Sequence, residues 1–214
     1  MKYLFILLLA VVFSFPAFSQ SEVKIGNQVW MTKNLDVDRF MNGDLIPESK
    51  TKEEWQKAGE LQKPTWCYYN YDVNNKKYGK LYNGYAVSDP RGLAPAGFHI
   101  PSDAEWTELF DYLGSKEDAV IKMRTKSEWL KNGNYGNGNN KSKFSALPGG
   151  YCAYNGGFAH IKTHGYWWSS TNKNLHNWST ENTIAGYVEL RNSNTLAKFH
   201  MGKAAGYSVR CIKD

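Results

Sequence analysis

PAGFHIPSDAEWTELFDYLG, running from Pro95 to Gly114, is the stretch that decides the fold. Pro95-Ala96-Gly97 signals a tight turn and feeds a short extended segment, Phe98-His99-Ile100. Pro101 holds its predecessor in β or polyproline geometry. Ser102 followed by Glu105 three residues later is a capping box. Trp106, Leu109, Phe110 and Leu113 then recur at helical spacing and make one apolar stripe. Gly114 supplies a stop at the C′ position. The reading is strand, proline, capped amphipathic helix.

On the N-terminal side, Val23-Lys24-Ile25 and Val29-Trp30-Met31 alternate around Gly26-Asn27-Gln28, as a β-hairpin does. Thr51 with Glu54 predicts a capped helix over 51–58, stopped by Gly59. Trp66 to Tyr71 is aromatic and strand-like, Asp72 to Lys77 is a polar turn, and Tyr78 to Tyr85 alternates weakly. Beyond Gly114 a helix is predicted from Lys116 to Arg124, with Val120 and Met123 inward. The Asn/Gly-rich run 132–140 is a loop. Phe144 to Leu147, Gly165 to Thr171, Ile184 to Leu190, Thr195 to Met201 and Tyr207 to Ile212 read as short strands between turns. Helices early and strands late predict an α+β domain.

Residues 1–19 read as a secretory signal peptide. Lys2 precedes an apolar run from Tyr3 to Phe15, Pro16 breaks it, and Ala17 and Ser19 occupy the small-residue positions of a cleavage site. The run is shorter than the roughly 18 residues a spanning helix needs. The mature chain, 20–214, suits one domain. Its expected address is secreted, extracellular or cell-surface, with the periplasm as the other compartment open to an exported protein. No membrane span is expected in the mature chain, and oligomeric state is left open.

The sequence carries 26 Lys and Arg against 20 Asp and Glu, and losing Lys2 leaves 25 against 20, a formal charge of +5. The basic residues are scattered, with no run longer than Lys76-Lys77, which argues against nucleic acid as a partner. Aromatic residues make up 15% of the chain, including 8 Trp and 14 Tyr. Such rings pair a large apolar body with a polar handle, a composition similar to that of carbohydrate-contacting domains. Three cysteines, Cys67, Cys152 and Cys211, allow three pairings and leave one thiol over. Without a CxxC there is no zinc-ribbon or thioredoxin-type motif.

Six fragments then fall in order: VKIGNQVWMTKNL, KYGKLYNGYAV, the opening stretch, FSALPGGY, GYWWSST and GYSVRCIKD. In these the chain resembles the Fibrobacter succinogenes major paralogous domain, a family common in secreted proteins of Bacteroidetes and Fibrobacteres. That family in turn is similar to the C-type lectin-like superfamily, including its formylglycine-generating branch. The resemblance implies an α+β, C-type lectin-like domain, with two early helices packed on short antiparallel strands and with long loops that form a binding face. It also implies that the terminal strands pair. Many relatives have a cysteine where this chain has Ala94. The resemblance therefore leaves the usual disulfide partner missing and offers Cys152, where relatives often carry arginine, as a substitute.

Each chemistry known in that superfamily has its own residue requirements. Calcium-dependent sugar binding needs six to eight oxygen ligands, and neither Glu-Pro-Asn nor Gln-Pro-Asp occurs. Asn70 to Asn74 imitates the start of an EF-hand loop, but Asn75 and Leu81 stand where glycine and glutamate belong, so an Asx turn is expected. His160 and His164 lie in a Gly-rich setting where their spacing is not expected to converge on one metal. His99 is expected to be a buried, hydrogen-bonded structural histidine. Asp103 suits a helix N-terminus and Glu105 a capping box, so they are not read as an acid pair. Ser169-Ser170 lacks the setting of a nucleophile. No catalytic residue, metal site or cofactor is expected.

What remains is a binding face. Alternation in Trp167-Trp168 sends one ring inward and one outward. Trp168, Asn177, Trp178, Glu181, Asn182, Arg191 and Asn192 are the expected ligand-binding residues, because rings stack on sugar faces while amides and charged groups bond hydroxyls. The expected function is non-catalytic binding of an extracellular glycan or surface protein, probed most directly at Trp178. The alternatives are a structural or adhesive surface module and, second, a metal-assisted oxidoreductase of the formylglycine-generating type.

Overall fold

The computed structural model describes residues 21–173 and 184–214. The domain is α+β, and its strands form three antiparallel sheets among the described residues. β1 (Glu22–Ile25) and β2 (Gln28–Met31) make the expected hairpin, turning at Gly26 with φ 62°. They join β12 (Ile212–Lys213) and β5 (Phe98–His99) in the order β1-β2-β12-β5. A second sheet, β10-β9-β8, is built from β8 (His164–Lys173), β9 (Ile184–Arg191) and β10 (Leu196–Gly202). The third runs β3-β4-β11-β6-β7, with β3 (Trp66–Cys67), β4 (Leu81–Asn83), β6 (Tyr151–Cys152), β7 (Phe158–Ala159) and β11 (Gly206–Tyr207).

Helix α3 (Asp103–Leu113) follows the opening stretch of sequence closely. Ser102 accepts from the Glu105 amide and Glu105 reaches back to Ser102, so the capping box is closed. Its stripe of Trp106, Leu109, Phe110 and Leu113 is buried, at about 2 kcal/mol of favourable transfer per side chain. Gly114 ends it at φ 109°. Helix α4 (Lys116–Met123) packs beside it, and Ser115 caps α4. Helix α1 (Lys52–Glu60) is capped by Thr51 as expected but runs through Gly59. A Cβ at Gly59 would lie 3.1 Å from the Ala204 side chain, so this glycine serves close packing and not termination. One turn the alternation did not suggest, α2 (Gly84–Val87), is capped by Asn83. The Asx turn at Asp72 is present, its carboxylate accepting from the Asn74 amide at 2.9 Å.

Further expectations need correction: Trp66 to Tyr71 is extended only over Trp66–Cys67, because Asn70 and Tyr71 take positive φ in a short 3-10 turn. Phe144 to Leu147 is not a strand. Lys143 and Ser145 both take positive φ, which breaks extended geometry, and only a single bridge joins Ala146 to Arg124. Trp167 and Trp168 do not divide between inside and outside. β8 has a core on each face: Trp167 packs with Trp30, Phe144 and Val188, and Trp168 with Tyr82, Tyr187 and Tyr207. Tyr207 to Ile212 is not one strand but a crossing between sheets. Tyr207 pairs with Tyr82 in the third sheet, and Ser208 exchanges hydrogen bonds with Tyr166 and Trp168 in the second. The Val209 carbonyl accepts from Leu35, the Cys211 carbonyl accepts from Met31, and Ile212 pairs with Trp30 in the first.

Arg210 sits at the middle of that crossing and is fully buried. Its Nη1 donates to the Met31 carbonyl at 3.0 Å and to the Phe144 carbonyl, and its Nη2 to Asn34 Oδ1 at 2.7 Å. The guanidinium lies 4.3 Å from the centre of the Phe144 ring. Asn34 Oδ1 also accepts from the Trp167 indole at 2.8 Å, and Asn34 Nδ2 donates to the Tyr78 carbonyl at 2.8 Å. Asn34→Ala would strand one buried carbonyl and several buried donors, one of them charged. It should cost about 3 kcal/mol in urea unfolding. A loss below about 0.5 kcal/mol, the size of a surface substitution, would show that the hub is not needed.

Candidate functional site

A groove opens where α2, β6, β11 and the end of β10 meet. Its larger part is a cavity of about 430 Å³ lined by Tyr85, Tyr151, Tyr154, Met201, Lys203 and Tyr207, with small residues between them. A smaller cavity of about 370 Å³ adjoins it, lined by Gln56, Glu60 and Gln62 of and beyond α1. Tyr85, Tyr154 and Ala204 belong to both, so the two cavities form one groove with an aromatic half and a polar half.

Local structure explains how these side chains reach the site. Asn83 caps α2 and so presents Tyr85. The Gly84 amide donates to the Lys203 carbonyl at 2.7 Å, and a Cβ on Gly84 would come within 2.8 Å of Lys203. Glycine is thus required for α2 to lie against the wall. Lys203 is turned aside by its 2.8 Å bond to the Ser88 hydroxyl, and burial lowers its pKa. Tyr154 stands on the Ala153–Gly157 turn and is 72% exposed, and Met201 beside the groove is 43% exposed. Tyr207 forms a buried floor, packed on Trp168 at 4.6 Å and Tyr187 at 4.6 Å between ring centres.

Behind the floor lies a polar cluster on β8 and β9. Glu189 is only 4% exposed and holds the Arg191 guanidinium at 2.8 Å. His164 Nε2 is 3.5 Å from the same carboxylate. The His160 and His164 rings stack at 4.3 Å, and His160 Nδ1 is 2.6 Å from the Tyr166 hydroxyl. The two histidines therefore do come together, because a turn at 160–164 folds one ring over the other. Among the described residues, however, no three His, Cys, Asp or Glu gather in a metal-holding group. Burial pulls the His164 pKa down to about 4, and the neighbouring His160 adds to this against the pull of Glu189.

The sequence-expected site residues fare differently. Trp168 is fully buried and its indole donates to the Tyr82 carbonyl at 2.7 Å, so it supports the floor and cannot meet a ligand. Asn177, Trp178, Glu181 and Asn182 lie outside the described residues. Arg191 ends β9 and is tied to Glu189, and Asn192 follows it in the turn. The Asn192 amide donates to Thr163, its side chain donates to the Leu130 carbonyl, and its own carbonyl accepts from buried Arg124 at 2.7 Å. Both stand at the opposite end of β9 from Ala185, whose partner Met201 borders the groove. His99 is half-exposed, not buried, and bridges two carboxylates, Glu105 at 2.7 Å and Asp214 at 2.8 Å. Desolvation lowers its pKa, but those two partners outweigh it and the net shift is upward.

The family comparison fits this frame from end to end: the model of the Fibrobacter succinogenes major domain matches residues 23–213. The chain belongs to that family. Searches of curated proteins and of solved structures gave no match. The match takes in every residue of the groove, so in this Fibrobacter succinogenes major domain the site is part of the family unit itself.

The depressed His164 pKa has a signed consequence. The unfolded chain, with histidine near 6.5, binds a proton that the folded chain refuses until about pH 4, so stability falls as pH drops through that window. The full effect is on the order of 3 kcal/mol. His164→Gln should flatten that acid limb, read as unfolding free energy against pH. His99, shifted the other way, contributes stability that is present below its unfolded value and is lost as pH rises through its folded one. It is unchanged in the variant, so an acid limb identical to that of wild type would refute the assignment to His164.

Proposed function

We propose that the domain is an exported, non-catalytic binding module with a C-type lectin-like fold, and that it takes carbohydrate without calcium in the tyrosine groove. The observation that carries this reading is the pairing of two halves around one aromatic ridge. Tyr85 and Tyr154 separate an apolar, tyrosine-lined cavity from one lined by Gln56, Glu60 and Gln62. Sugars have the complementary chemistry: apolar ring faces that stack on tyrosine, and hydroxyls that bond amides and carboxylates. Two adjoining cavities suit at least two linked sugar units. The aromatic richness of the sequence supports the same ligand class. The oxidoreductase alternative finds less support, because Cys67, Cys152 and Cys211 are all buried and none lines the groove.

A glycan array followed by calorimetry on the best binder tests this proposal. Tyr154→Ala, at an exposed position, should leave the melting temperature within a degree or two and weaken binding about tenfold, or ~1.4 kcal/mol. Gln56→Ala should weaken it by a smaller factor. Absence of binding to any glycan at high protein concentration would defeat the carbohydrate reading and leave the structural or adhesive one. Binding that survives both substitutions would place the ligand elsewhere.

A further inference from the structure

Sequence alone allows three cysteine pairings, and the fold separates them. Cys67 lies on β3, at one edge of the third sheet, and Cys152 lies on β6, with β4 and β11 between. On a flat sheet three strand spacings would hold them about 14 Å apart. Here the sheet curls, and Cys67, Leu81 and Cys152 share one buried cluster with Trp55 of α1. Gly206 opens the space for this closure. A Cβ there would meet the Trp55 ring at 2.6 Å and Cys152 Cβ at 3.2 Å. Burial pushes the Cys67 thiol well above its usual pKa, and direct side-chain interaction with the Cys152 thiol adds to the shift. The half-buried Tyr71 side chain packs on the same cluster and its hydroxyl interacts with Cys152 as well, so the three groups face one another. Cys211 belongs to a different cluster, beside Arg210, where burial raises its pKa to about 12.

We propose that Cys67 and Cys152 form an intramolecular disulfide when the chain folds under oxidising conditions, leaving Cys211 as the free thiol. The oxidant is a small or protein disulfide. One thiolate attacks it, forms a mixed disulfide and releases the first thiol of the donor. The second cysteine then attacks the protein sulfur of that bond and releases the other. Two protein thiols lose two electrons and two protons, and the donor disulfide gains both as two thiols. The exchange must precede full burial, since neither sulfur is accessible once the domain closes. The bond would tie β6, whose Tyr151 lines the groove, to the far edge of the sheet.

The proposal is independent of the ligand and is tested without one. Full-length protein, reduced and unfolded, is refolded in a glutathione buffer, alkylated, and digested without reduction. The expected products are a Cys67–Cys152 linked peptide pair and one titratable thiol per chain in denaturant. The oxidised protein should melt about 10 °C above the reduced protein. Cys211→Ser should keep the link, and Cys152→Ser should melt like reduced wild type. Should Cys152→Ser fail to fold, oxidised and reduced wild type still provide the comparison. Three free thiols per chain after refolding, or a link that includes Cys211, would overturn the assignment.

Discussion

A buried guanidinium organises this domain. Arg210 is withdrawn from water among neutral oxygens and an aromatic face, with no carboxylate paired to it among the described residues. Burying a cation in this way is expensive, and it persists only where every donor is met. Arginine suits the position because its planar fork reaches several acceptors at once. Here they belong to β2, to the Phe144 loop and to Asn34, which in turn holds Trp167 of β8. One side chain therefore fixes the spacing of pieces far apart in sequence.

The same segment builds the floor of the groove. Tyr207 precedes Arg210 in the crossing, and its ring rests on Trp168 and Tyr187. The groove walls arrive from α1, α2, the Ala153–Gly157 turn and the end of β10, segments that lie far apart in the sequence. Close approach is needed at Gly84 and Gly206, where any side chain would strike Lys203 or Trp55. The binding surface is thus placed by long-range packing, and no single motif carries it.

That difference explains what the sequence discloses. Helix α3 is fully legible because its capping box, stripe and stop are all local. The β1–β2 hairpin and the strands β8, β9 and β10 are legible for the same reason. Trp168 is not, because alternation tells sides apart but not whether both sides are covered, and β8 is covered on both. Gly59 reads as a stop because its tertiary contact with Ala204 lies far along the chain. Arg191 and Asn192 read as ligand groups because polar residues in a hairpin turn look free, whereas Glu189 and Arg124 engage them. Tyr85 and Tyr154 are well separated in sequence, and nothing local marks them as partners. One signal was available for Arg210: an arginine between Val209 and Cys211-Ile212 sits in an apolar run and must have found acceptors.

Native-state hydrogen exchange measures the central constraint directly. The amides of Met31, Leu35, Trp168 and Ser208 each bond to or belong to the crossing segment, and they lie in different parts of the fold. If Arg210 and Asn34 tie these parts into one unit, all four should exchange only through global unfolding, at the free energy shown by the β8–β9 amides. Exchange of Met31 and Leu35 through a cheaper local opening, with Trp168 and Ser208 still protected, would contradict the account.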